Sequence, residues 1–294
     1  MTNKPEILVI GLGLIGASFA KAVRKSANAY VLGFDVEKEV PPVALEMGLI
    51  DEVVDDLTQV RQVDVIIMAV PVMAIGKVVE QIRYLIPGLT VLSDVGSVKG
   101  EVVKSVQDVL GELPSCFVPG HPIAGAEKSG VTAATDDLFK NHMHILTPLP
   151  ESTDQAVTLL TELWSGCGAQ VVTMTVERHD EVLAATSHLP HLLAFSLVDT
   201  LARESENREI FKYAAGGFRD FSRIAASDPT MWHDIFLTNR DATLKILRRF
   251  QSDLGLLEQA IEHRDGDLLR TVFTRAKSAR DYFTEILESR NKEG

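Results

Sequence analysis

The feature that most constrains this fold is the segment Ile7–Ser26. An apolar run, ILVI, is followed by Gly11-Leu12-Gly13-Leu14-Ile15-Gly16 and then by a stretch of helical character. In a strand–turn–helix unit of this kind the first glycine permits the tight turn and the second lets the backbone approach a pyrophosphate. The third lets the helix pack on the strand, and the helix N-terminus favours the phosphate charge. A second apolar run, Tyr30–Phe34, ends at Asp35, 19 residues after Gly16. That is where a ribose-binding carboxylate is expected. An unmasked Asp35 repels a 2′-phosphate, so NAD is expected over NADP. The expected cofactor-binding residues are Gly11, Gly13, Leu14, Ile15, Gly16 and Asp35.

The first half alternates strand and helix signals, as a parallel α/β sheet requires. Strands are expected at Ile7–Ile10, Tyr30–Phe34, Val63–Val70, Thr90–Asp94, Cys116–Val118, Met143–Pro148 and Gln170–Met174. Val65–Val70 is nearly unbroken apolar sequence, suited to a strand covered on both faces. Val70 and Pro71 lie at its carboxyl end, where open α/β sheets bind ligands, and join the cofactor set. Ser152–Gly166 reads as a helix opened by a Ser152/Gln155 capping box. After Thr175 strand signals cease. Glu177–Glu204 reads as a helix kinked at Pro190, followed by helical patterns at Arg208–Ala214, Pro229–Phe250, Ser252–His263 and Asp267–Glu288. The expected fold is thus an α/β Rossmann domain over 1–175 and an all-helical domain over 176–294. Helical surface on this scale is expected to pair two chains into a homodimer.

With 294 residues, a formal charge of −12 and no basic stripe, nucleic-acid binding is not expected. No uninterrupted apolar run reaches the roughly 18 residues of a membrane span, and MTNKPEILVI lacks signal-peptide form. Cys116 and Cys167 form no CxxC pair, so a reduced, cytoplasmic protein without a zinc site is expected.

Three polar clusters could carry chemistry. Asp94-Val-Gly-Ser97-Val-Lys99 and Gly120-His121-Pro-Ile-Ala-Gly125-Ala-Glu127-Lys-Ser129-Gly130 follow the fourth and fifth expected strands, facing the same crevice. A histidine there can accept a proton from a substrate hydroxyl while hydride leaves the adjacent carbon. Ser97 can bond the imidazole or the same oxygen; its alternative role is a helix N-cap, and His121 can equally be a loop residue bonding backbone. In Ser187-His188-Leu-Pro190-His191, the first and last residues share a helix face. Polar side chains at a proline kink also serve to satisfy freed carbonyls, and no third ligand supports a metal. The third cluster, Gly216–Trp232, holds Arg219, Asp220, Arg223 and Asp228. One arginine can clamp a substrate carboxylate while the other pairs with an acid, and spacing leaves the choice open.

Taken in order, GLGLIG, DVGSVK, GHPIAGAEKSG, SHLPH and GGFRDFSRIAASDPTMW resemble the prephenate/arogenate dehydrogenase family of tyrosine biosynthesis, over residues 7 to 240. The resemblance implies a homodimer of Rossmann and helical dimerisation domains that oxidatively decarboxylates prephenate with NAD. It implies that His121 accepts the hydrogen bond of the ring C4 hydroxyl and that Ser97 orients that hydroxyl and the imidazole. Arg223 would bind a substrate carboxylate and His191 the substrate side chain. Glu127 and Asp220 would belong to a polar network at the site mouth, with Trp232 as supporting structure. It also leads us to expect no fused mutase, no added regulatory domain, and tyrosine feedback, if any, at or near the active site. Prephenate, or both prephenate and arogenate, is expected as substrate, because no acidic residue can be placed against an ammonium; the alternative is an arogenate or dual cyclohexadienyl dehydrogenase giving tyrosine. Two rivals remain at this level. A β-hydroxyacid dehydrogenase or imine reductase would use a lysine or aspartate of the helical domain instead. A non-catalytic NAD(H) sensor would have no use for a carboxylate clamp.

Overall fold

Residues 4–125, 128–203 and 211–293 are described by the computed structural model. Strand β1 (Glu6–Ile10) pairs in parallel with β2 (Tyr30–Phe34) on one side and β4 (Val65–Met68) on the other. With β3 (Glu52–Val53) and β5 (Val91–Asp94) they make a five-stranded parallel sheet in the order β3-β2-β1-β4-β5. The build direction reverses between β1 and β4, and this is where such a sheet opens its ligand crevice. Cys116–Val118 adds only a parallel bridge, Phe117 to Leu92, so the expected strand is a stub on the sheet edge. β3, two residues long, is too short to show a period.

Helices α1 (Leu14–Ser26), α2 (Val40–Glu46), α3 (Ile75–Ile82), α4 (Lys99–Leu110) and α5 (Asp154–Gly166) complete this layer system. Alternate strand residues serve two separate cores. Ile7, Val9, Val31, Val65, Ile67 and Val91 pack with the apolar residues of α1 and α5. Leu8, Ile10, Leu32, Ile66, Met68 and Leu92 pack with those of α3 and α4. Burial on both faces explains the unbroken apolar strands. Each such side chain contributes about 1.5–3 kcal/mol. Trp164 of α5 anchors the first core against Phe19, with ring centroids 4.7 Å apart. The cap of α5 is Thr153, whose hydroxyl accepts from Ala156 N, and not Ser152. The Ser152 hydroxyl is drawn off to donate to Phe117 O at 2.6 Å, stitching the stub strand to the helix.

A smaller sheet holds β6 (Gly120–Pro122), β7 (Met143–Leu146) and β8 (Gln170–Thr173), with β6 antiparallel to β7. His121 therefore lies on a short strand and not in a loop. From Val176 the chain is helical: α6 (Val176–Leu183), a π-turn at Ala184–His188, α7 (Leu189–Ala202), α8 (Gly216–Ser222), a 3₁₀ turn at Arg223–Ala226, and α9 (Pro229–Thr238). The irregularity sits on the N-terminal side of Pro190, because proline cannot bond the carbonyl four residues earlier and the π-turn absorbs the defect. α10 (Arg240–Glu262) and α11 (Gly266–Glu293) follow. Asn239 splits the helix expected over Pro229–Phe250, and α10 runs through Ser252 without a break. Arg208–Ile210 and Glu204, parts of expected helices, lie outside the described residues.

By length and composition the helical stretch Val176–Ala202 is long and apolar enough to cross a membrane, although polar and charged residues interrupt its apolar sequence. It also carries His179, Asp180, His188 and His191, all engaged in hydrogen bonds within the protein. Chain contacts divide the molecule into Met1–Arg240 and Asp241–Gly294, so α6–α9 belong to the first compact unit. The second unit is a helical pair whose turn has Arg264 at φ 55° and Asp265 capping α11 through Leu268 N at 2.9 Å.

The glycine turn locks the crevice geometry. Gly11 has φ 94°, and a Cβ there would lie 2.3 Å from Ala69 O, so the turns after β1 and β4 abut. A Cβ on Gly16 would lie 2.0 Å from Gly11 O, whereas one on Gly13 would meet nothing within 4 Å. Gly16→Ala is therefore expected to cost about 3 kcal/mol or more in chemical denaturation. Gly13→Ala is expected to stay within about 1 kcal/mol of wild type while weakening dinucleotide binding at least tenfold by titration.

Candidate active site

Two neighbouring segments build the crevice floor. Asp94 ends β5, and its carboxylate accepts from Gly96 N at 2.7 Å and from Gly120 N at 3.2 Å. One buried carboxylate thus ties the Ser97 loop to the His121 strand. The Lys99 ammonium completes the clamp by donating to Asp94 Oδ2 and to Gly120 O. Both charges are wholly buried. Burial pushes the Lys99 ammonium below its usual range, against the pull of Asp94. Gly120 is obligatory for a second reason: a Cβ there would lie 2.8 Å from His144 Nε2. His144, fully buried and stacked on Trp164 with centroids 3.9 Å apart, backs the site.

His121 is half-buried, and its Nδ1 lies 2.9 Å from His179 Nε2. Burial, the neighbouring His179 and the Lys99 charge hold it well below its ordinary value, so it is neutral at physiological pH. His179 Nδ1 in turn bonds Asp180 Oδ1 at 2.8 Å. The Asp180 carboxylate also accepts from Lys99 N at 2.9 Å and Gly100 N at 2.8 Å, which makes it the cap of α4. Ser97 is therefore not an N-cap. It stands half-exposed in the loop before α4, and its hydroxyl has no hydrogen bond among the described residues.

The helical wall comes from α7 and what packs on it. His188 is buried and accepts from the Asn239 amide at 3.1 Å, while the same amide donates to Asp180 O at 2.9 Å. Burial lowers His188 to about 4. His191 stacks on Trp232 with centroids 3.8 Å apart and donates from Nδ1 to Ser187 O at 2.8 Å. Burial, and secondarily the Arg223 guanidinium, hold it below its ordinary value. The charge of Arg223, an exposed residue, thus reaches His191. Arg219 pairs with Asp220 at 3.4 Å, both side chains largely exposed. Asp228 caps α9 through Thr230 N and Met231 N. Glu127 lies outside the described residues.

At the cofactor end the α1 N-terminus has no side-chain cap and no acidic residue in its first turn. Leu14 and Ile15 form that turn, and Gly13 leaves open space in front of it. Asp35 accepts from Leu12 N at 2.7 Å and from Glu37 N at 3.0 Å, which sets its carboxylate against the glycine turn. Val70 touches the same turn, and Pro71 follows it. An open cradle at a helix N-terminus with no side-chain cap among the described residues, and a carboxylate at its rim, fits a dinucleotide pyrophosphate and ribose.

Comparison with known proteins agrees. A family model for the prephenate dehydrogenase nucleotide-binding domain matches residues 19–173, and one for the prephenate dehydrogenase dimerization domain matches 175–275. The chain belongs to the prephenate dehydrogenase family. It is 39% identical over 285 residues to the cyclohexadienyl dehydrogenase of Zymomonas mobilis, covering 95% of this chain and 96% of that one. It is 40% identical over 286 residues to the prephenate dehydrogenase of Bacillus subtilis, covering 95% and 76%. Among solved structures it resembles Aquifex aeolicus prephenate dehydrogenase in complex with hydroxyphenyl propionate and NAD+, at TM-score 0.88, 36% identity, and 96% and 99% coverage. Synechocystis arogenate dehydrogenase gives TM-score 0.79 at 28% identity, covering 95% and 99%.

The chain is thus a dehydrogenase of this family with NAD as its cofactor, a Rossmann-type nucleotide-binding domain and a helical dimerisation domain. Motif reading missed His179, Asp180, Asn239 and the structural use of Asp94 and Lys99. A His-Asp dipeptide on a helix and a lone lysine after a strand carry no spacing signature; only the fold brings them together. Because Lys99→Met leaves Asp94 buried without its partner, it is expected to cost about 3–5 kcal/mol in denaturant unfolding.

Proposed function

We propose that this dehydrogenase oxidises prephenate to 4-hydroxyphenylpyruvate with NAD+, releasing carbon dioxide. The observation that carries the reading is a neutral, half-buried His121 whose Nε2 has no hydrogen bond among the described residues, on a strand clamped beside Ser97. The substrate is a cyclohexadienol whose carbinol lies para to a ring carboxylate. His121 Nε2 takes the hydroxyl proton as the C–H bond breaks, and Ser97 orients that hydroxyl. NAD, when bound, supplies the hydride acceptor. Loss of the ring carboxylate as carbon dioxide sends an electron pair through the ring to the oxygen. His121 then returns its proton to that oxygen, so the phenol forms with no net proton released. Arg223 clamps a substrate carboxylate and His191 lines the side-chain end, with Asp220 at the mouth.

One observation favours arogenate as an additional substrate. With its Nδ1 proton given to Ser187 O, neutral His191 offers an acceptor at Nε2, which a side-chain ammonium would satisfy. Against it, the Asp94 and Asp180 carboxylates are already committed to Lys99, His179 and backbone amides. NADH formation from prephenate and arogenate in parallel, each with NAD+ and NADP+, tests the assignment. Turnover of prephenate with NAD+ is expected; turnover of neither substrate would refute it.

His121→Asn is expected to lower kcat by 10²-fold or more with substrate binding largely retained. Because only neutral His121 accepts a proton and its value is depressed, activity is expected to stay level from pH 8 down past pH 6.5, falling only in more acid solution. A midpoint at or above 6.5 in the kcat/KM profile would remove His121 from this role. Arg223→Ala is expected mainly to raise KM, because a clamp acts in ground and transition states alike.

We further propose a 1–175 dinucleotide domain and a 176–294 helical domain that pairs two chains. Of the apolar residues of α7, only Leu189 and Ala194 are buried within one chain, and Leu197 is exposed. Sedimentation is expected to show a dimer that Leu197→Glu weakens.

A further inference from the structure

The contacts behind His121 form a directed series. The Asp180 carboxylate only accepts hydrogen bonds, so the ring nitrogen 2.8 Å from it, His179 Nδ1, carries the proton. In a neutral ring the other nitrogen, His179 Nε2, is then a bare acceptor. It lies 2.9 Å from His121 Nδ1, which must supply the proton between them. A neutral His121 protonated on Nδ1 presents a lone pair, and not an N–H, at Nε2. We propose that His179, oriented by Asp180, is a positioning residue that holds His121 in the Nδ1–H tautomer, the form able to accept the substrate hydroxyl proton.

Three further observations support this. His179 is fully buried, and burial holds it below its ordinary value despite the adjacent Asp180, so it is neutral as the series requires. Asp180 is itself immobilised. It caps α4 through two amides, and its backbone carbonyl accepts from Asn239. The two rings are tilted at 59° with centroids 5.1 Å apart rather than stacked, which leaves a nitrogen of each free to meet the other. The series is thus built into the junction of α4, α6 and β6. It has a functional logic as well. When His121 takes the proton it becomes an imidazolium, and the same Nδ1–H then donates to a neutral acceptor backed by a carboxylate. A buried carboxylate acting on a histidine serves serine hydrolases in this way, and loss of the correct tautomer there is costly.

The proposal rests on the prephenate dehydrogenase reading only for its kinetic consequences, and the tautomer can be measured without turnover. The measurement is long-range proton–nitrogen correlation on the NAD-loaded enzyme labelled with ¹⁵N-histidine, His121 being assigned by its loss in His121→Asn. Wild type is expected to show His121 protonated at Nδ1 and bare at Nε2 near neutral pH. In His179→Phe, His121 is expected to shift toward the Nε2–H form. kcat should fall at least tenfold while KM changes less than twofold. His179→Gln, whose amide can accept from His121 and donate to Asp180, is expected to recover much of kcat. An Nε2–H tautomer in wild type would overturn the proposal, as would wild-type kcat in His179→Phe. If His179→Phe does not fold, the wild-type spectrum and the His179→Gln kinetics decide by the same criteria, a glutamine variant tenfold slower with an unchanged tautomer counting against it. Failure of the enzyme to oxidise any cyclohexadienol would refute the functional reading while leaving the tautomer result to stand or fall alone.

Discussion

The buried Asp94–Lys99 pair is the constraint on which the site depends. Two charges with no solvent exposure are expensive to bury, and their mutual attraction repays that cost only if the remaining hydrogen-bonding positions are filled. Here they are filled by the backbone that must be positioned: Gly96 N before Ser97, and both polar groups of Gly120 before His121. Electrostatic energy committed to the pair is thereby converted into placement of two candidate side chains from different segments. The Lys99 charge also reaches His121 and favours its neutral form.

A second physical theme is the use of a helix end twice over. The N-terminus of α1 is left uncapped at the open Gly13 turn, where a phosphate would take the place of a capping side chain. The N-terminus of α4 is closed by Asp180 of α6, which couples the dinucleotide layer to the helical wall. The π-turn at Ala184–His188 then places His188 inward to Asn239 and lets His191 stack on Trp232. Pro190, which makes that irregularity necessary, thus shapes the helical wall that carries His188 and His191.

Much of this was legible in the sequence, for definite reasons. The glycine turn, its strand and Asp35 have fixed spacing because a single local unit makes them, and the unbroken apolar strand Val65–Met68 reports burial on both faces. Polar residues among glycines at strand ends mark His121 and Ser97 as candidates but leave capping and backbone-bonding roles equally open, and their proposed roles rest on the family resemblance. The limits were equally physical. His179 and Asp180 look like an ordinary helix turn until α6 is laid against α4. Spacing leaves the choice between Arg219 and Arg223 open, and the proposal of Arg223 rests on the family resemblance, with its charge reaching His191. Ser152 was misread as a cap because its competing acceptor, Phe117 O, is distant in sequence. The edge position of Cys116–Val118 and the antiparallel β6 depend on long-range pairing that a local period does not encode.

If His121 assists hydride departure from the carbinol carbon, slowing that step must expose it kinetically. The decisive measurement is the deuterium isotope effect on kcat/KM with prephenate labelled at the carbinol carbon, in wild type and in His121→Asn. A normal primary effect that is at least as large in the slow variant is expected. A slow variant with an isotope effect of unity would show that His121 serves some other step, and would contradict its assignment as the acceptor in hydride transfer.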